Sequence, residues 1–280
     1  HQLLTPIPEN VSYDEAAFVS LGAIAVQGVR RAQPAFGETF VVSGLGLVGQ
    51  LVAQILRAAG CHVIGCDPVA SRRALAETLG AEVVCAPEDL EQIVAERTAG
   101  YGADGVIVCA ASKNSTVANQ ALELCRRKGR VVVVGAVGMH LERGALYANE
   151  LDFMLSCSYG PGRYDRQYEE RGLDYPIGYV RWTQGRNMAE FLRMVDAERV
   201  RVKALISVAE PVERAEQAYA AVMGGGDTIA ALIRYGEVSG EAAPAPPPRV
   251  FALQGKPKAG GVTGVAVIGT GAIATGFHLP

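Results

Sequence analysis

The 280-residue chain has one tryptophan, four histidines and no cysteine pair at C-x-x-C spacing. His1, His62, His140 and His278 are scattered, so no metal cluster is expected. Cys61, Cys66, Cys85, Cys109, Cys125 and Cys157 stand singly in or beside expected strands and helices. They read as small buried hydrophobes in a reducing compartment, not as disulfide partners or zinc ligands. No apolar run reaches the length of a membrane span and no signal-peptide pattern opens the chain, so a cytoplasmic location without membrane partners is expected. A formal charge of −3 and the lack of a basic stripe argue against nucleic acid as a partner.

What the chain has in quantity is apolar sequence, 49% of its residues, enough for a sizeable core. The stretch Thr39–Asp67 organises the rest. Phe40–Ser43 reads as a buried strand, and Gly44, Gly46 and Gly49 follow at G-x-G-x-x-G spacing. Leu47, Val48, Leu51, Val52, Ile55 and Leu56 then recur at helical period until Gly60, and a second strand, His62–Cys66, ends on Asp67. Each part has a mechanical reason. Gly44 permits the strand-to-helix turn, Gly46 leaves the backbone open to a pyrophosphate, and Gly49 lets helix and strand pack closely. The N–H groups near Leu47 and Val48 lie at the positive end of the helix dipole, and Asp67 is placed to accept ribose hydroxyls.

Along the chain, Tyr13–Val29 reads as a helix broken at its glycines. After the opening unit come a helix over Ser71–Gly80, a strand over Ala81–Cys85, a helix over Asp89–Thr98 and a strand over Asp104–Cys109. Ser115–Lys128 reads as a helix stopped by Gly129, with strands over Arg130–Gly135 and Phe153–Ser158. This alternation predicts an α/β fold, a doubly wound parallel sheet. Residues 159–186 break the rhythm and hold five of the ten tyrosines, five arginines and the only tryptophan. That insert reads as a contact surface first, with sugar or phosphate binding as the alternative. Helices near Asn187–Val195 and Val212–Val222 and a strand near Thr228–Tyr235 follow. An Ala/Pro/Gly linker comes next, then Val265–Ala274, where Gly269, Gly271 and Ala274 repeat the glycine fingerprint. The start at His1 and the stop at Pro280 soon after this motif read as those of a fragment.

Leu21–Gly49, Asp67 and V-V-V-V-G at 131–135 resemble the medium-chain dehydrogenase/reductase family, the zinc-type alcohol dehydrogenases included. The tail resembles the start of the Gfo/Idh/MocA oxidoreductases. The order of the two, with S-Y-G-P-G-R-Y-D and D-Y-P-I-G-Y-V-R-W-T between them, is similar to two-part bacterial oxidoreductases encoded among polysaccharide genes. The resemblance implies this organisation: 1–37, the trailing edge of an N-terminal catalytic domain; 38–158, a Rossmann-type dinucleotide-binding domain; 159–186, the insert; 187–235, return helices and strand; 236–262, the linker; and 263–280, a truncated second Rossmann start.

It also implies pyrophosphate contacts at Gly46, Leu47 and Val48 and ribose contacts at Asp67, with Pro68 beside it. Arg72 would lie near the adenine edge, and Ala110, Val134, Gly135, Ser158 and Tyr159 toward the nicotinamide. The expected activity is NAD(P)-dependent hydride transfer between nicotinamide and a carbinol or carbonyl carbon of a sugar or nucleotide-sugar. NAD is preferred over NADP because Asp67 would repel a 2′-phosphate. Zinc-dependent members place a cysteine ligand near Gly22 and a threonine near Val26; this chain has neither, so no zinc is expected. No catalytic acid or base is identified. A homodimer, a non-catalytic nucleotide-binding module and a zinc-independent enone or quinone reductase stay open.

Overall fold

A computed structural model describes residues 2–236. The linker and the fingerprint at Gly269–Ala274 lie outside the described residues. The chain enters through α1 (Tyr13–Ala16), capped by the reciprocal Ser12–Glu15 pair, and α2 (Val19–Ala32). Then strands and helices alternate: β1 (Thr39–Ser43), α3 (Leu47–Ala58), β2 (His62–Cys66), α4 (Ala70–Thr78), β3 (Val83–Cys85), α5 (Leu90–Arg97), β4 (Ala103–Val108), α6 (Thr116–Leu124), β5 (Cys125–Val133), α7 (Arg143–Asn149) and β6 (Asp152–Leu155). The insert holds α8 (Arg166–Glu169). After it come α9 (Gln184–Asp196), β7 (Ile206–Pro211), α10 (Ala215–Met223) and β8 (Ala230–Arg234).

The first six strands form one parallel sheet in the order β3-β2-β1-β4-β5-β6, and β7 and β8 form a separate parallel pair. This is the expected doubly wound fold, with its change of direction between β1 and β4. Period-two alternation decides what each side chain faces. Phe40, Val42, Val63, Ile107 and Val132 pack on one side with α2, α3 and α9. Val41, Ile64, Val106, Val108, Val131 and Val133 pack on the other with α5 and α6. Strand ends line up as well. Cys85, Cys66, Ser43, Val108, Val133 and Leu155 form one hydrogen-bonded row across the sheet.

Two expectations about glycines fail for a common reason. α2 is not broken at Gly22 or Gly28; the interruption falls at Ala17 and Phe18, before its start. A Cβ on Gly22 would sit 2.3 Å from the Phe191 ring, and one on Gly28 would sit 2.6 Å from the Val134 side chain. These glycines let α2 press against α9 and the end of β5. Gly22→Ala is therefore expected to destabilise the fold by about 1–3 kcal/mol through overpacking. A thermal melt unchanged from wild type would contradict this.

Gly129 likewise does not stop a helix. α6 ends at Leu124, and β5 begins at Cys125 with a bulge, pairing Ala103 with Cys125 but Gly105 with Arg130. Arg126 Nε donates to Asp104 Oδ1 at 2.6 Å and pins the bulged segment. α7 and β7 were not anticipated, and β6 is shorter than Phe153–Ser158.

Candidate dinucleotide site

The row of strand ends puts Gly44, Asp67, Pro68, Ala110, Val134 and Gly135 one or two positions beyond it, at the edge where a doubly wound sheet opens its crevice. Gly44 leaves β1 at φ +93°, and a Cβ there would lie 2.6 Å from the Ala110 nitrogen. A Cβ on Gly49 would lie only 1.8 Å from the Gly44 carbonyl oxygen. Those two glycines answer to the protein itself. Gly46 does not: at φ −68° it caps α3, and a Cβ there would meet nothing within 4 Å. Gly46 has no side chain to bond the first-turn N–H groups of Leu47, Val48 and Gly49, which have no intrahelical acceptor.

Asp67 is 3% exposed and rigidly held. Its Oδ2 accepts from Leu45 N at 2.8 Å, and its Oδ1 accepts from Val69 N at 2.8 Å. Each oxygen keeps a further lone pair, so the carboxylate can still accept ligand hydroxyls. Arg73 donates to the Asp67 and Pro68 carbonyls and is tied to the turn. Arg72 Nη1 lies 3.9 Å from Asp67 Oδ2, and its Nε is buried without a partner among the described residues.

A cavity of about 340 Å³ brings together Gly44, Gly46, Asp67, Pro68, Arg72 and Ala110. It also recruits Pro87, Cys109 and Gln120, which sequence reasoning missed; Cys109 follows the β4 row position, but Gln120 on α6 carries no local signal. Burial pushes the Cys109 thiol up to about 12, so it stays protonated near neutrality. Cys66, also on the wall, shares a hydrogen bond with Cys85 that raises its own pKa and lowers that of Cys85.

Leu47, Val48 and Gly49 do not line this cavity, Leu47 and Val48 packing against the core, and neither do Val134, Gly135, Ser158 and Tyr159. Val134 turns toward Gly28, while a Cβ on Gly135 would lie 2.1 Å from the Ala110 oxygen. Ser158, at φ 44°, precedes the insert and Tyr159 begins it, its carbonyl accepting from Asn187 Nδ2 at 3.0 Å. The insert packs largely on itself. Tyr168 is fully buried and stacks on Tyr175 at 5.6 Å, Tyr175 bonds Asp165, and Arg186 holds Asp174 and the Val180 carbonyl. Arg163 bonds Glu169, and Arg181 lies over Trp182.

Residues 48–171 match the zinc-binding dehydrogenase family. A D-arabitol-phosphate dehydrogenase from Enterococcus avium is 31% identical to the chain over 163 residues, 55% of the chain and 46% of that protein. The chain thus spans about half the length of such relatives. A short chain alcohol dehydrogenase from Escherichia coli CFT073, solved with NADH, superposes with a TM-score of 0.67 at 17% identity, over 82% of the chain and 61% of that structure. A zinc-binding dehydrogenase from Sinorhizobium meliloti 1021, solved with NADP, gives 0.64 at 20% identity over 82% and 61%. These likenesses show the same α/β fold. Despite the description of the zinc-binding dehydrogenase family, no group of three or more His, Cys, Asp and Glu suited to a metal occurs among the described residues. No helix of the described residues is long and apolar enough to cross a membrane.

Proposed function

We propose that the protein is a nicotinamide-dependent dehydrogenase or reductase acting on a carbinol or carbonyl carbon of a polyol, sugar or nucleotide-sugar. The observation that carries this reading is Gly46, whose missing side chain no protein contact explains, set beside the fixed Asp67 carboxylate. In this reading the first-turn amides of α3 hold the pyrophosphate and Asp67 accepts the ribose hydroxyls. Arg72, with its orphaned Nε, borders the adenine side. Ala110, Val134 and Gly135 frame the approach toward the nicotinamide, with Ser158 and Tyr159 beyond. Bound there, the nicotinamide supplies or accepts the hydride; the chain's part is to orient it and keep it in place. The likeness to a D-arabitol-phosphate dehydrogenase supports a polyol-type substrate. NAD is the favoured cofactor, because a 2′-phosphate would meet the Asp67 charge.

The domain boundaries given above belong to this reading, as does a second oxidoreductase domain beginning at the Gly269–Ala274 fingerprint. A cytoplasmic homodimer joined through the edge strand β6 is also part of it; Leu155 on that strand is 59% exposed.

Calorimetric titration of the chain with NADH should give saturable binding, and the full-length enzyme should turn over polyols or sugars with nicotinamide reduction. Absence of NADH binding would overturn the reading; binding without turnover on any polyol or sugar would favour a non-catalytic module. The insert lies outside the cavity, so Arg163→Ala and Arg181→Ala should leave NADH affinity within about threefold, under 1 kcal/mol. A collapse of NADH binding in a folded variant would move the insert into the cofactor site.

A further inference from the structure

A second cavity, of about 710 Å³, lies elsewhere. α3 connects the two places: its N-cap Gly46 lines the dinucleotide crevice, while Ile55, Ala58 and Ala59 at its other end line the second cavity, roughly 18 Å away at 1.5 Å per residue. Val26 and Val29 of α2 and Met194 of α9 complete an apolar floor. Arg30, Arg193 and Arg199 stand around it with a single acid, Glu190, so the lining carries a net charge of +2.

Three helices end here, and their C-terminal carbonyls would attract cations. The arginines are not spent on those carbonyls. Arg30 lays its guanidinium 3.3 Å over the Trp182 ring and gives its Nε to Asn187 Oδ1 at 2.9 Å; no carboxylate takes its terminal nitrogens among the described residues. Burial pushes this guanidinium down to about 10 despite the nearby Glu190. Arg193 is held by Glu190 in a two-point pair, at 2.6 and 3.0 Å, which neutralises the one acid. The Arg199 side chain has no partner among the described residues. Arg199 is exposed, but Arg30 is half-buried without a paired carboxylate, which is costly, and an arriving anion offsets that cost.

We infer that this cavity is a second ligand site, separate from the dinucleotide crevice, that takes a small anionic amphiphile: an aliphatic or aryl body on the floor with a carboxylate or phosphate between Arg30 and Arg199. The volume suits such a ligand. The chain's own segment 237–280 is a poor match for it, having two acids, Glu237 and Glu241, against three bases, Arg249, Lys256 and Lys258.

Trp182, the only tryptophan in the chain, lines the cavity and serves as the reporter. Octyl phosphate and octanoate, added to the 280-residue chain, should change its fluorescence saturably, and each should bind at least tenfold more tightly than octanol. By calorimetry, Arg199→Gln should weaken octyl phosphate at least fivefold, and Ala58→Phe, which fills the floor, should abolish binding; both should keep wild-type NADH affinity. Arg30→Gln should act like Arg199→Gln, and if it does not fold, the exposed Arg199 variant decides alone. Equal binding of octanol, an unaffected Arg199 variant, or displacement of octyl phosphate by NADH would each overturn the inference.

Discussion

Gly46→Ala should melt like wild type yet bind NADH at least tenfold more weakly, whereas Gly49→Ala should lose the fold before binding can be asked about. The two residues lie three apart in one motif, and the difference follows from what an added methyl would meet. At Gly46 the backbone conformation suits any L-residue and the new carbon enters open space, so stability should stay within about 0.5 kcal/mol. In the proposed site a pyrophosphate approaches the first-turn amides through that same space, and a tenfold loss is about 1.4 kcal/mol of binding. At Gly49 the methyl would sit 1.8 Å from the Gly44 carbonyl oxygen, a backbone atom that cannot turn aside. A cost of at least about 3 kcal/mol, on the order of 10 °C in Tm, is expected. Thermal melts and calorimetry on both variants settle it. Unchanged NADH affinity in Gly46→Ala would remove the phosphate from this turn.

Asp67→Ala should fail on two counts at once. The carboxylate accepts from two backbone amides, those of Leu45 and Val69, each at 2.8 Å. Without it both donors lose their partner in an enclosed setting, at about 1–3 kcal/mol apiece before water or rearrangement compensates. Binding should change in quality as well as strength. NADH should weaken at least tenfold with the loss of the ribose acceptor, while NADPH weakens less or improves. Removing the negative charge also frees Arg72, 3.9 Å from Asp67 Oδ2, to face a 2′-phosphate. Dissociation constants for both dinucleotides, with wild type and variant, test this. A wild type that prefers NADPH would refute the cofactor assignment, whatever the variant does.

The sheet and the phosphate turn were legible because their signals are local. Gly44, Gly46, Gly49 and Asp67 sit within one strand–helix–strand unit, and period-two and period-3.6 patterns locate that unit directly. Cys109 follows β4 and Gln120 lies on α6, and only the passage from β1 through α3, β2, α4, β3 and α5 to β4 brings them to the same wall. No spacing rule announces that. Gly22, Gly28 and Gly129 were misread for the opposite reason. A glycine inside a helix pattern looks like punctuation, but what selected Gly22 was the Phe191 ring, 169 residues further on. Distant packing overrides local propensity there. The insert was legible as unusual composition, but not as a small aromatic core around Tyr168, because its pairings depend on how the loop folds back.

The row from Cys85 through Ser43 to Leu155 makes strand length a ruler. Gly44, Asp67, Ala110, Val134 and Gly135 are positioned by counting from that row, so this region is set by distance along the chain more than by side-chain identity. A conservative swap such as Val42→Ile leaves the count intact. Deleting one residue from β1 or β4 would draw Gly44 or Ala110 back by about 3.3 Å and turn the strand's inward residues outward. In a comparison of homologues, insertions and deletions should therefore collect in the insert and after β6, while the segments Thr39–Asp67 and Ala103–Gly135 keep their lengths even where their residues diverge.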